Sequence, residues 1–488
     1  MPSIAFIDAE IDPKRKTVLE IGGVKDSGAV YHGADLVGFR RFLDGVPYVA
    51  GHNILEHDIK YLGNQTGARL IDTLPLSPLL FPIKPYHALL KDDKLQTDET
   101  NNPLNDAMKA RDLFFDEVAA YGRLDEALKQ VLYGLLGDQP AFQAFFQYVG
   151  LGPTSGAIPT SGAERSSGVG PSASNLEHLI LQRFEAALCS HADVGEMIRA
   201  QPVALAYALS LINALERRHD VRSITPPWVL LRHPEVERIM YVLRNKPCLQ
   251  GCPYCNRALD IHKGLLHFFG FEAFRAYGGE PLQEKAAQAA VDNRSLLAIF
   301  PTGGGKSLTF QLPALMSGEN VRGLTVVISP LQSLMKDQVD NLEKAGITDA
   351  VTINGLLDPI ERAKAMERVN NGSASLLYIA PESLRSRTME RLLLGRKLVR
   401  FVIDEAHCFS AWGQDFRVDY LYIGDFIRRM QTLKQLSDPI PVSCFTATAR
   451  LSVIADIRQY FRDKLGLELD LFTANATRTN LRYAVTAL

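Results

Sequence analysis

"SLLAIFPTGGGKS", Ser295 to Ser307, runs an apolar segment into a glycine-rich turn and then into Lys306–Ser307. The apolar part reads as a buried strand, and the residues after Ser307 read as a helix. The composition of the turn has a chemical reason. Backbone N–H groups can wrap a triphosphate only where side chains are absent or small, and the N-terminus of the following helix favours negative charge. Thr302, Gly303, Gly304 and Gly305 form the cradle, Lys306 would reach the β- and γ-phosphates, and Ser307 would ligate Mg²⁺. Phe300 stands where the strict pattern has its first glycine.

Working outward, short apolar runs recur: "LTVVIS", "AVTIN", "LLYIAP", "LVRFVID" and "PVSCFTA", most of them separated by helix-like segments. This pattern predicts an α/β domain whose parallel sheet is buried on both faces. "LVRFVIDEAH" ends its strand in Asp404–Glu405–Ala406–His407. An acid at a strand end can hold Mg²⁺, and Glu405 beside it can polarise an attacking water.

"PTGGGKS", "SPLQSLMKDQV" (Ser329 to Val339), "APESL" (Ala380 to Leu384), "DEAHCFSAWGQDFR" (Asp404 to Arg417) and "FTATA" (Phe445 to Ala449) follow in order. Roughly Phe268 to Leu488 resembles the first, RecA-like motor lobe of a RecQ-type superfamily 2 DNA helicase. The resemblance implies ATP and Mg²⁺ as cofactors and DNA as partner, with hydrolysis coupled to translocation on single strands and unwinding. It assigns adenine reading to Gln283, with Phe271 and Arg275 beside the base, although the Arg-to-Gln spacing is wider than the family's. It gives His407, Trp412, Phe416 and Arg417 the coupling of ATP to DNA, and Thr446 and Thr448 the relay of nucleotide state. Aromatic and arginine side chains are independently suited to stack single-stranded bases. "NLRYAVTAL" ends the chain where the family's first lobe ends. The expectation is therefore a piece of a longer helicase, with the second lobe and its arginine finger, worth about 10³–10⁵ in rate, lying beyond it.

Near the N-terminus, "SIAFIDAEID" places Asp8 and Glu10 on one side of a strand. Asp58 follows in "YVAGHNILEHDIKYL" and Asp106 in "NNPLNDAMKARDLF". Four carboxylates from separate segments could hold two Mg²⁺ or Mn²⁺ ions about 4 Å apart, one activating water and one steadying a leaving oxygen. Residues 3 to 122 resemble the DEDD 3′–5′ exonuclease superfamily, which implies an RNase H-like fold. The family's catalytic histidine falls on Asn101, and its tyrosine variant on Asn102. An amide takes no proton from water near neutral pH, and His87 in "PYHALLKDDK" is the substitute on offer, although nothing local places it.

"CLQGCPYC" spaces Cys248, Cys252 and Cys255 as C-x3-C-x2-C, with "GGEP" downstream. A radical-SAM site would need a barrel of its own, but the glycine-rich turn begins near Thr302, and "GGEP" already belongs to the adenine-reading stretch. A redox dithiol lacks its usual βαβ setting. A metal staple remains: zinc first, with His262 as the fourth ligand and His267 or His233 as alternatives, then an iron–sulfur cluster, then unmetallated thiols.

The whole chain of 488 residues suggests about three domains. The division expected is an exonuclease-like domain to residue 125, a helical extension at 126–149, a Gly/Ser/Pro-rich linker at 150–175, a helical connector with the cysteine cluster at 176–265, and the motor lobe from 266 to 488. A net charge of −2 confines any nucleic-acid surface to a local patch. No apolar run approaches the ~20 residues that span a bilayer, and no signal peptide is visible. Six cysteines, three clustered and three (Cys189, Cys408, Cys444) scattered, suit a reducing cytoplasm rather than a disulfide scaffold. Fused nuclease and motor point to DNA repair, recombination or defence. The alternative is a nucleotide-gated DNA-binding module whose nuclease is inactive and whose motor is incomplete.

Overall fold

Alternation along Ile4–Ile11 sorts its side chains onto two faces of a sheet. Ala5, Ile7 and Ala9 enter one core with Ile21, Phe39 and Leu43. Phe6, on the other face, meets Phe114 at 5.5 Å between ring centroids. The structure is a computed structural model that describes residues 2–12, 14–62, 67–84, 87, 102–151, 172–217, 224–248, 250–301, 303–409, 417–447 and 450–474. The fold falls into two units: residues 1–184 with 193–214, and residues 185–192 with 215–488.

In the first unit, β1 (Ile4–Ile11), β2 (Val18–Lys25), β3 (Val30–Gly33), β4 (Tyr48–Gly51) and β5 (Arg69–Asp72) form a sheet in the order β3-β2-β1-β4-β5. β1, β2 and β3 are antiparallel, whereas β4 runs parallel to β1 and β5 to β4. The helix Pro103–Gly122 covers one face. It starts where Asn102 caps the N–H groups of Leu104 and Asn105, with Pro103 pre-set for the first helical position.

In the second unit, β6 (Leu296–Ile299), β7 (Leu324–Ile328), β8 (Ala350–Ile353), β9 (Leu376–Ile379), β10 (Leu398–Ile403), β11 (Val442–Thr446) and β12 (Asp470–Thr473) form one sheet ordered β12-β6-β11-β10-β7-β9-β8. Every pairing in it is parallel. β6 to β9 and β11 are buried at every residue, as the apolar runs predict for a sheet covered on both sides. β6 to β11 are the six runs read from sequence. β12 was not anticipated, since "DLFT" alternates half-buried and exposed residues at the sheet edge.

Two features differ from the sequence-based expectation. The helix Ala173–Arg183 begins inside the stretch read as linker, capped by Ser172. The segment read as one connector is shared between the units. Helices Ala173–Arg183, Val194–Ala200 and most of Pro202–Arg217 belong to the first unit, and Pro227–Arg232 onward to the second.

Candidate functional site

The glycine-rich turn leaves the C-terminal end of β6. Phe300 is fully buried and stacks on Tyr277 at 4.9 Å and 22°. The position that usually takes glycine is here an anchor that packs the strand end. Gly303 (φ +75°) and Gly305 (φ +81°) adopt a left-handed backbone that side chains disfavour. Gly304 N–H donates to Pro301 O at 2.9 Å, and the Tyr277 hydroxyl donates to Gly304 O. Ser307 then leads into the helix Leu308–Val321.

Gln283 is buried and spans two chains of the site. Its Nε2 donates to Gly305 O at 2.9 Å, and its Oε1 accepts from Arg275 N–H at 2.7 Å. The Arg275 guanidinium donates to Gly303 O at 3.0 Å. Of the three residues expected at adenine, Gln283 and Arg275 are thus seated against the glycine-rich turn, while Phe271 is 54% exposed and stacks on Phe269. Thr302 lies outside the described residues.

The acid pair leaves the C-terminal end of β10, two strands from β6. Asp404 N–H donates to Ile328 O at 2.9 Å, which continues the ladder with β7. Burial pushes the Asp404 carboxyl above the usual range, with Lys306 opposing it. Glu405 turns back with φ +51°, and its carboxylate stands 3.7 Å from the Lys306 ammonium. His407 Nδ1 lies 3.1 Å from Glu405 Oε2 and 3.1 Å from the hydroxyl of Thr446 at the end of β11. The His407 hydrogen bond, then Lys306, holds Glu405 below the usual carboxylate range despite its burial. An ionised carboxylate therefore faces the lysine, connected through an imidazole to the strand between the two motifs. Trp412, Phe416 and Thr448 lie outside the described residues, and Arg417 opens the helix Arg417–Leu433.

A second cluster sits in the first unit. Asp8 pairs across β1–β2 with Gly22, where an added Cβ would lie 2.2 Å from the backbone of Pro103 and Leu104. The missing side chain lets the start of Pro103–Gly122, with Asp106 in its first turn, lie over the strand. Asp58 is buried and accepts from Ala9 N–H at 2.9 Å. Burial, then repulsion from Asp58, Asp106 and Glu10, pushes Asp8 up to about 7. Burial also pushes Asp58 up to about 7. Asp58, Asp106 and Glu10 thus lie near enough to Asp8 for their charges to bear on it. Of the expected bases, Asn101 lies outside the described residues, Asn102 is committed to its cap, and His87 is buried against Ser77 at 2.9 Å.

The third cluster corrects an expectation. Cys248, Cys252 and Cys255 converge with Cys189, all four sulfurs within 4.8 Å of one another. His262 is instead exposed and paired with Glu284 at 3.1 Å, because the Asp260 cap starts its helix facing Leu282–Val291. His267 pairs with Glu319 at 3.7 Å, and His233 is not in the cluster. By sequence Cys189 reads as scattered, since four helices separate it from the motif and no spacing rule reaches that far. Tyr254 is buried, its hydroxyl donating to Arg244 O at 2.8 Å.

A parallel sheet with a glycine-rich turn on one strand end and an acid pair on another is the architecture of a RecA-like P-loop lobe. Residues 280–457 match the model of the DEAD/DEAH box helicase family. The ATP-dependent DNA helicase RecQ of Bacillus subtilis is 43% identical over 194 residues, 40% of this chain and 30% of the relative. RecQ of Haemophilus influenzae is 36% identical over 228 residues, 47% of this chain and 33% of the relative. The chain spans about a third of the length of these curated relatives. Among solved structures, DUF1998 helicase MrfA bound to DNA is 22% identical, with a TM-score of 0.33 over 40% of this chain and 26% of that one.

Proposed function

We propose that the second unit is a RecQ-like motor lobe, in which ATP hydrolysis drives movement along single-stranded DNA and unwinding, in DNA repair, recombination or defence. The observation that carries this reading is the chain of contacts from Lys306 through Glu405 and His407 to Thr446. Bound Mg²⁺ would neutralise charge on the transferring phosphoryl group. Ser307 and Asp404 are the residues to hold it, Lys306 would grip the phosphates, and Glu405 would orient water. His407 and Thr446 would report the state of the site to the adjacent strand. That the relatives are named ATP-dependent DNA helicases supports DNA as the partner.

The test is DNA-stimulated ATP hydrolysis by the chain. Turnover that rises with single-stranded DNA and disappears in Lys306→Ala is the expected result. Nucleotide binding with no turnover in any DNA would favour a nucleotide-gated DNA-binding module.

The first unit is read as a DEDD-type 3′–5′ exonuclease-like domain that binds Mg²⁺ or Mn²⁺ through Asp8, Glu10, Asp58 and Asp106. The strand order and the mutual repulsion around Asp8 support it. A catalytically silent DNA-end clamp is the second reading, favoured by the engagement of Asn102 in a helix cap. Mn²⁺ and 3′-labelled single-stranded DNA, supplied to the whole chain and to Asp8→Ala, separate the two. Shortening lost in the variant supports the nuclease, and equal lengths support the clamp. The cysteine cluster is read as a structural metal site with zinc as its ion.

A further inference from the structure

Two chain segments far apart in sequence supply the cysteine cluster. The chain enters the second unit at Glu185, leaves it after Ala192, and rejoins it at Leu215. Cys189 sits at the middle of this short excursion, whose backbone is held at three points. Cys189 N–H donates to Leu243 O at 2.8 Å, Arg244 donates to Ala187 O at 2.8 Å, and Arg257 to Ala186 O at 2.7 Å. No regular element falls within 185–192, and the nearby helix Pro253–Ala258 is short.

The four thiols are chemically uniform and unpaired. Cys189, Cys252 and Cys255 are buried, Cys248 is half-buried, and none is in a disulfide. Backbone N–H groups point at their sulfurs: Cys252 N to Cys248 Sγ at 3.3 Å, and Cys255 N to Cys252 Sγ at 3.4 Å. The left-handed Gly251 (φ +70°) makes the turn between the first two cysteines. Such a turn places two sulfurs on one side and supplies donors that stabilise thiolates. With Zn–S bonds of about 2.3 Å, four sulfurs around one tetrahedral ion stand about 3.8 Å apart. The observed ceiling of 4.8 Å admits that arrangement. A four-iron cluster places a cage of iron and sulfide between its cysteines and spreads them further.

We infer that Cys189, Cys248, Cys252 and Cys255 bind one zinc ion as a closed four-thiolate site that fastens the Glu185–Ala192 excursion to the helicase unit. This rests on the reading of the cluster as a structural zinc site and adds Cys189 as its fourth ligand and the segment that the ion fastens. Four protein ligands fill the tetrahedron and leave no position for water, so the role is structural rather than catalytic. Cys248 and Cys255 line an open cleft of 850 Å³, which gives a chelator access.

Elemental analysis of the whole chain, purified under argon without chelator, is expected to find one zinc per chain. Co²⁺ in its place should give the intense visible bands of tetrahedral thiolate cobalt. Cys189→Ser should lose more than half of the zinc, while His262→Ala keeps all of it. Because Cys189→Ser can fail by misfolding, alkylation mapped by mass spectrometry supplies an independent reading on the wild-type chain. All four cysteines should be protected together and become reactive together after chelation, and the peptide containing 185–192 should gain deuterium faster. Iron with labile sulfide would overturn zinc but keep the metal site. Absence of any metal, with no cobalt binding, would overturn the site itself. Full zinc in a folded Cys189→Ser, or alkylation of Cys189 while the other three stay protected, would overturn the four-thiolate set.

Discussion

At the scale of single residues, position in the fold sets what each acid does. Glu405 is kept ionised by His407 and Lys306, which suits a group that orients water. Glu405→Gln preserves shape and removes that charge. It should still bind ATP but hydrolyse it about 10²–10⁴-fold more slowly in single turnover; a loss of only two- or threefold would remove Glu405 from that role. Glu117 shows the opposite case. It is fully buried in the first unit, neither carboxylate oxygen has a hydrogen-bond partner among the described residues, and burial pushes it well above the usual range. A carboxyl raised on folding stabilises the fold below its unfolded pKa, and that contribution is lost as pH rises through the folded value. Stability of the first unit should therefore fall as pH rises above about 4.5, by up to about 1.4 kcal/mol per unit. Glu117→Gln should flatten this slope in melts at pH 5 to 9, and an unchanged slope would assign it to other groups.

At the scale of elements, close approach is what assembles the sites. Gly22 lets the backbone at Pro103 and Leu104 sit where a Cβ would be. Gly22→Ala must push that helix off the sheet, at a cost of about 1–3 kcal/mol, and should move Asp106 away from Asp8. The expected readout is a lower melting temperature together with weaker Mn²⁺ binding; a change in neither would contradict the packing argument. The proposed motor lobe was legible from sequence because its key stretch is contiguous: a strand, a turn and a helix start lie within Ser295–Leu308. β3 and β12 were not read, being four residues each with half-exposed patterns that match loops as well as strands. Cys189 was invisible for a different reason. Its relation to Cys248 exists only after the intervening helices have folded, and nothing local marks a thiol that will meet others through tertiary packing.

At the scale of the whole molecule, the glycine- and serine-rich stretch reads as a domain boundary, yet the first unit continues past it. Arg183 forms a two-pronged pair with Asp125 at 3.1 and 2.7 Å and donates to Asn213 at 3.0 Å, and the Tyr207 hydroxyl donates to Pro75 O at 3.0 Å. A fragment ending at Gly150 lacks those helices. It should bind the dye ANS and melt without a sharp transition, unlike the whole chain; a sharply melting, dye-free fragment would show that the later helices are dispensable. The same threading governs how the chain is made. Domains that end where their sequence ends can close as soon as they leave the ribosome. Here the first unit waits for Ala214, while Cys189, already synthesised, waits for Cys248 to Cys255. A translational pause between residues 193 and 214 would leave both units begun and neither complete.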